Sequence, residues 1–103
     1  VKYPYREVDF SRNQLSTTSL TKVINLCKLC KQLRVLKLFK NGIDDKGALL
    51  LADFLRACPW IEEVHLSHNN FTVEGVVPII EAGEQTRPEG ATPLWLRLEQ
   101  NDV

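Results

Sequence analysis

Cys27-Lys28-Leu29-Cys30 and His65-Leu66-Ser67-His68 together spell C-x2-C…H-x2-H, the donor types and local spacing of a tetrahedral zinc site. The gap between the two pairs is 34 residues, longer than a zinc finger's. Two carboxylate pairs, Asp44-Asp45 and Glu62-Glu63, are the candidates for acid–base work or for a hard cation. A third constellation is basic and aromatic. Lys37, Lys40, His65 and Arg97 are interleaved with Phe39 and Trp95, a set that suits phosphates with stacked bases or an anchored protein interface. Asn70-Phe71-Thr72 matches the N-glycosylation triplet. The chain carries no P-loop, G-x-S-x-G, H-E-x-x-H or dinucleotide glycine pattern.

Which of these residues can meet depends on a frame that recurs along the chain. The segments YREVDFSRNQL from Tyr5, LRVLKLFKNGI from Leu33, IEEVHLSHNNF from Ile61 and PLWLRLEQNDV from Pro93 all fit L-x-x-L-x-L-x-x-N-x-L. Their asparagines, Asn13, Asn41, Asn69 and Asn101, are spaced by 28, 28 and 32 residues. A single domain of 103 residues therefore reads as repeats 5–32, 33–60 and 61–92 with a partial copy at 93–103. The four residues that lengthen the third copy lie in GEQTRPEGATP, whose Gly, Pro and charge predict a loop after its helix.

Within each frame, apolar and polar residues alternate with the period of a half-buried strand. The inward positions are Val8 and Phe10, Leu36 and Leu38, Val64 and Leu66, Leu96 and Leu98. Tyr5, Leu33 and Ile61 fill the first apolar slot, and Leu15, Ile43, Phe71 and Val103 the last. Pro93 predicts that the fourth strand starts one residue late, because proline cannot donate to a central ladder. Each strand precedes a helical period: Leu20, Val23, Ile24, Cys27; then Ala48, Leu51, Ala52, Leu55; then Val76, Ile79, Ile80, Gly83. Asp44 or Asp45 is the expected N-cap of the second helix, and Thr17 and Thr72 those of its neighbours. Pro78 and Gly83 predict a third helix that is short or kinked. The asparagines sit where the strand turns away from the sheet. An amide offers both a donor and an acceptor, so a column of them can satisfy backbone groups from one coil to the next.

This register sorts the candidates. The cysteines fall on the helical side and His65 on the strand face, so the zinc pattern is split across opposite faces. Cys30 and Cys58 each stand three residues before the next frame and read as small core residues. Capping explains Asp44-Asp45, and strand alternation sends Glu62 and Glu63 in different directions. No catalytic residue, metal or cofactor is expected, and the chain is not read as an enzyme.

The outward strand positions form columns: Glu7, Val35, Glu63, Trp95; Asp9, Lys37, His65, Arg97; Ser11, Phe39, Ser67, Glu99; and, at the edge, Arg12, Lys40, His68, Gln100. Lys37, Phe39, His65, Trp95 and Arg97 are the expected partner-binding set, since aromatics and arginine dominate interface hot spots. Thirteen basic and thirteen acidic residues cancel, which removes the global field that drives non-specific binding to nucleic acid or anionic lipid. No apolar run approaches the roughly 20 residues of a membrane span. Three cysteines are an odd count, which favours a reduced cytoplasmic or nuclear setting and leaves the glycosylation triplet idle. The first strand lacks a predecessor and the last copy lacks a helix. The chain is accordingly expected to be a piece of a longer protein, whose uncapped ends self-associate when isolated.

With 28-residue units, true helices, and Gly47-Ala48 and Gly75-Val76 opening two of them, the chain over residues 5–103 resembles the ribonuclease-inhibitor-like class of leucine-rich repeats. That resemblance implies an α/β fold: a right-handed β-α superhelix (solenoid) of about 3.5 repeats, with parallel strands on the concave face and helices on the convex face. It also implies a protein partner held on the concave face or its rim. Members of the class include ribonuclease inhibitor, the sensor regions of NOD-like receptors, tropomodulin-like actin cappers and the activating protein for the GTPase Ran. The residues the Ran activator relies on lie outside the repeat consensus and have no counterpart here. A nucleic-acid-associated module using the basic and aromatic column, or a structural spacer, are the alternatives.

Overall fold

The computed structural model describes residues 4–87, 90 and 93–103. Strand and helix alternate: β1 (Glu7–Asp9), α1 (Thr17–Lys28), β2 (Val35–Lys37), α2 (Asp45–Ala57), β3 (Glu63–His65), α3 (Val73–Gln85) and β4 (Trp95–Arg97). The strands form one parallel sheet in the order β1-β2-β3-β4. Val8, Leu36, Val64 and Leu96 lie in one row across it. Each strand is three residues long and turns only its middle side chain toward the helices. The core fills the space between sheet and helices, with Leu20, Leu33, Leu36, Leu38, Leu51 and Phe54 among its fully buried side chains.

Pro93 does not delay its strand. Trp95 pairs with Glu63 just as Glu63 pairs with Val35, so β4 starts at the common register. Each strand begins two residues after the leading apolar slot, so position 93 precedes the ladder; the N–H that proline lacks is one that Leu33 and Ile61 give to the turns before their strands, not to the sheet. Leu94 takes over the apolar role, packing partly buried against the core. Tyr5 is exposed at the opposite end of the sheet, although it occupies the slot that Leu33 and Ile61 bury. Val8, two rows in, is buried all the same.

Helix starts follow capping chemistry, with one shift. Ser16, not Thr17, caps α1, its hydroxyl accepting from the Ser19 N–H; Thr17 is the first helical residue. Asp44 caps α2 by accepting from the Lys46 and Gly47 N–H groups, and Thr72 caps α3. Asp45 has a different task. Its carboxylate accepts from the backbone N–H of Thr72 at 2.8 Å and from the Thr72 hydroxyl at 2.5 Å, tying α2 to the start of α3. Gly75 makes this approach feasible, since a Cβ there would collide with the Asp45 carboxylate and crowd Ala48.

The third helix is not short: it runs 13 residues, the same length as α2, with Pro78 inside it. Pro78 removes one hydrogen bond, to the carbonyl of Glu74, whose exposed position leaves that oxygen to water. The apolar stripe of α3 also departs from expectation. Ile80 is exposed, whereas Gly75 and Ala82 join Val76, Ile79 and Gly83 in the buried set. Ile80 stands where Ala52 stands one repeat earlier. Ala52 is covered by α3, and among the described residues no further helix covers Ile80. Of the predicted loop GEQTRPEGATP, Gly83 to Gln85 belong to α3, and residues 88, 89, 91 and 92 lie outside the described residues.

Candidate functional site

The chain leaves each strand through a turn that the asparagines hold. Asn41 Oδ1 accepts from the Asn13 N–H at 2.7 Å, while its Nδ2 donates to the carbonyls of Phe10 and Leu38, each at 3.0 Å. Asn69 Oδ1 accepts from the Asn41 and Ile43 N–H groups at 3.0 Å, and its Nδ2 donates to Leu38 and Leu66. Asn101 accepts from the Phe71 N–H and donates to Leu66 and Leu98. Asn13 donates only within its own turn, to Phe10 and Ser11. The amides of Asn41, Asn69 and Asn101 therefore bond both their own coil and the one before it, using donor and acceptor at once.

The same turn forces the residue ahead of each asparagine into the left-handed region: φ is 63° at Arg12, 58° at Lys40, 57° at His68 and 62° at Gln100. A side chain there costs roughly 1–2 kcal/mol relative to ordinary backbone. The fold imposes the conformation, because the N–H groups of Arg12, Lys40 and His68 donate to Phe39, Ser67 and Glu99 of the next coil.

The face of the sheet away from the helices carries the outward columns. Lys37 Nζ lies 3.2 Å from the Glu7 carboxylate, Arg97 3.3 Å from Glu99, Arg34 3.4 Å from Glu62, and His65 Nε2 3.8 Å from Glu63. Asp9 accepts the Ser11 N–H at 2.9 Å, and that backbone hydrogen bond first of all holds its carboxyl below the usual carboxylate range. Charge along the strands themselves is thus largely paired. Trp95 is 53% exposed at the sheet edge, with the His65 ring edge-on at 5.9 Å and the Arg97 guanidinium 5.8 Å from its centre. Phe39 is half-buried, and Arg12 lies 5.6 Å over its ring. Phe39, Lys40, His65, Ser67, His68, Arg97 and Glu99 line a groove of about 240 Å³. The five proposed binding residues share one face, but in two groups: Trp95 meets both His65 and Arg97, whereas Lys37 is occupied by Glu7 and Phe39 by Arg12.

The leucine-rich-repeat family model matches residues 30–52 and again 57–79, the stretches that hold β2 with the start of α2 and β3 with the start of α3. Those two stretches are leucine-rich repeats. It is similar in structure to the C-terminal domain of tropomodulin from Caenorhabditis elegans, at 18% identity and a TM-score of 0.71, over 79% of this chain and 49% of that one. It is also similar to actin-binding site 2 of leiomodin-1, at 21% identity and a TM-score of 0.78, over 95% of this chain and 55% of that one. At such identities the likeness is one of fold, and this chain spans about half the length of the solved structures it matches. No curated protein matches it.

The repeat geometry keeps the zinc-like residues apart. Cys27, Cys30 and Cys58 are free thiols packed in the core, while His65 lies on the sheet's open face. Burial pushes the Cys27 thiol up to about 12, and raises Cys30 and Cys58 as well. These are packing residues, not nucleophiles. Among the described residues no cluster of three or more His, Cys, Asp or Glu is arranged to hold a metal ion. Nor, among them, is any helix long and apolar enough to cross a membrane.

Three features of the leucine-rich-repeat scaffold escaped the sequence pattern. Asp45 bridges two helices, as described. Arg87 donates to the carbonyls of Pro59 and Ile61, pinning the segment after α3 to the turn before β3. Lys31 lies 4.7 Å over the Trp60 ring. Asp45 sits at a helix start, where a cap is the default reading, and the other two lie outside the repeating frame.

Proposed function

We propose that this leucine-rich-repeat chain is a protein-binding scaffold whose concave sheet face is the working surface, with Trp95 as its anchor. The observation that carries this reading is the half-exposed indole braced by His65 and Arg97. A large, rigid, amphipathic ring held by its neighbours loses little conformational freedom on binding. Phe39 and the adjoining groove supply a second apolar contact. Local pairing of Lys37, Arg34, His65 and Arg97 with carboxylates supports a protein partner over nucleic acid, whose affinity comes from accumulated positive charge.

The test is recovery of partners on the immobilised chain, with and without nuclease, comparing Trp95→Ala with Lys37→Glu. Purified actin is a defined probe in the same format, since one structural neighbour is an actin-binding site. A protein interface anchored at Trp95 loses at least about tenfold in recovery with Trp95→Ala and survives nuclease. Recovery that ignores Trp95→Ala, or that collapses with nuclease and with Lys37→Glu, ends this reading.

A further inference from the structure

Along one rim of the sheet the fold and the residue types disagree. The position ahead of each ladder asparagine must be left-handed, a conformation glycine and asparagine tolerate best. Three consecutive coils instead carry Arg12, Lys40 and His68 there, and all three are exposed. Coils in a parallel sheet repeat every ~4.8 Å, so the three basic side chains start from backbone sites about that far apart. Among the described residues none of them is in an ion pair, although Lys37, Arg34, His65 and Arg97 each have a carboxylate within 4 Å. Strained backbone and unpaired positive charge coincide on one line. Of the three, Arg12 lies 5.6 Å over the Phe39 ring.

The line borders the groove of Phe39, Lys40, His65, Ser67, His68, Arg97 and Glu99. Glu99, the carboxylate in that groove, is already engaged by Arg97 at 3.3 Å. An incoming anion would therefore meet at Lys40 a cation whose charge is not spent, with the His68 imidazole beside it as a hydrogen-bonding group.

From this we infer that Arg12, Lys40 and His68 form a recognition rim for an acidic protein segment: its carboxylates lie along these three side chains while an apolar side chain beside them enters the groove. This rests on the concave-face reading and gives the partner a chemistry. An acidic peptide is favoured over a nucleic acid because the rim is short and the face beside it carries Glu7, Asp9, Glu63 and Glu99, which would repel a continuous phosphate backbone.

The test uses asparagine, which suits left-handed backbone and removes charge. The triple variant Arg12→Asn, Lys40→Asn, His68→Asn is compared with a helix-face control, Lys22→Gln, Lys46→Gln, Arg56→Gln. The probes are a fluorescent peptide of eight glutamates with a central phenylalanine and a nine-residue oligo-dT, whose eight phosphates match its charge. The rim variant is expected to melt no lower than wild type, yet to bind the peptide about tenfold more weakly, the sum of three exposed charge contacts. Wild-type binding is expected to weaken as salt rises from about 50 to about 200 mM, and the helix-face control to bind as wild type does. No binding of the peptide, equal loss in both triple variants, or preference for oligo-dT overturns the rim. If partner recovery falls with Trp95→Ala but not with the rim variant, the rim fails and the concave face stands. If the rim binds peptide but Trp95→Ala leaves recovery unchanged, the anchor reading fails alone.

Discussion

Asn69 and Asn13 hold the same place in the repeat and live different lives. The Asn69 side chain is buried and bonds two backbone N–H groups and the carbonyls of Leu38, Leu66 and Ser67, the first of them in the coil before; the Asn13 side chain is exposed and bonds only its own turn. The same contrast runs through the apolar rows. Leu38 and Leu66 are completely buried, whereas Leu98 and Phe10 are partly open. Inner coils and outer coils share a frame, yet only the inner ones have neighbours on both sides. Stability in this fold is lent by adjacent coils rather than owned by a segment.

The sharpest break of that comparison comes from the core. Leu38→Ala is expected to cost about 2–5 kcal/mol and Leu98→Ala about half as much, by urea denaturation. Equal losses would mean the outer row is as tightly held as the inner one. Next come the amides. Asn69→Ala should destabilise by about 2–3 kcal/mol, Asn41→Ala by about 1–3, and Asn13→Ala by no more than about 0.5, because only the first two strand buried groups without partners. An Asn41→Ala melt superimposable on wild type would contradict the ladder.

Caps are smaller. Ser16→Ala should cost about 1 kcal/mol and Thr17→Ala only a few tenths, a difference resolvable by thermal melts. The last effect is one of pH and belongs to the thiols. Cys27 has its folded pKa raised from 9.0 to about 12, so the folded state holds its proton more tightly than the unfolded chain. Its contribution is fully present below pH 9 and is lost as pH rises toward 12. Cys27→Ala should flatten that alkaline slope in pH-dependent unfolding while leaving the slope below pH 8 as it was.

The repeating part of this architecture was legible because period, alternation and asparagine each mark the same register. Leu36, Val64 and the stripes of α1 and α2 are buried where the pattern puts them. Errors fell where neighbours, not local sequence, decide. Ile80 fits the stripe but has no helix over it; Thr17 is a good cap residue beside a better-placed one; Pro93 looked harmful until the ladder proved to start at Trp95. The outward face is harder. Alternation says that Lys37, Phe39, His65, Trp95 and Arg97 point outward, but not that Lys37 is taken by Glu7, nor that Trp95 is clasped by His65 and Arg97. Such pairings run between coils, beyond the reach of any single window of sequence.

Because each strand is only three residues long and buries just its central one, the sheet offers two free positions for every constrained one. A combinatorial library drawn at those flanking sites would alter specificity while leaving the scaffold's hydrophobic rows unchanged. The fold thus separates what it must keep from what it is free to vary, and a new binding preference can evolve without a fresh search for foldability.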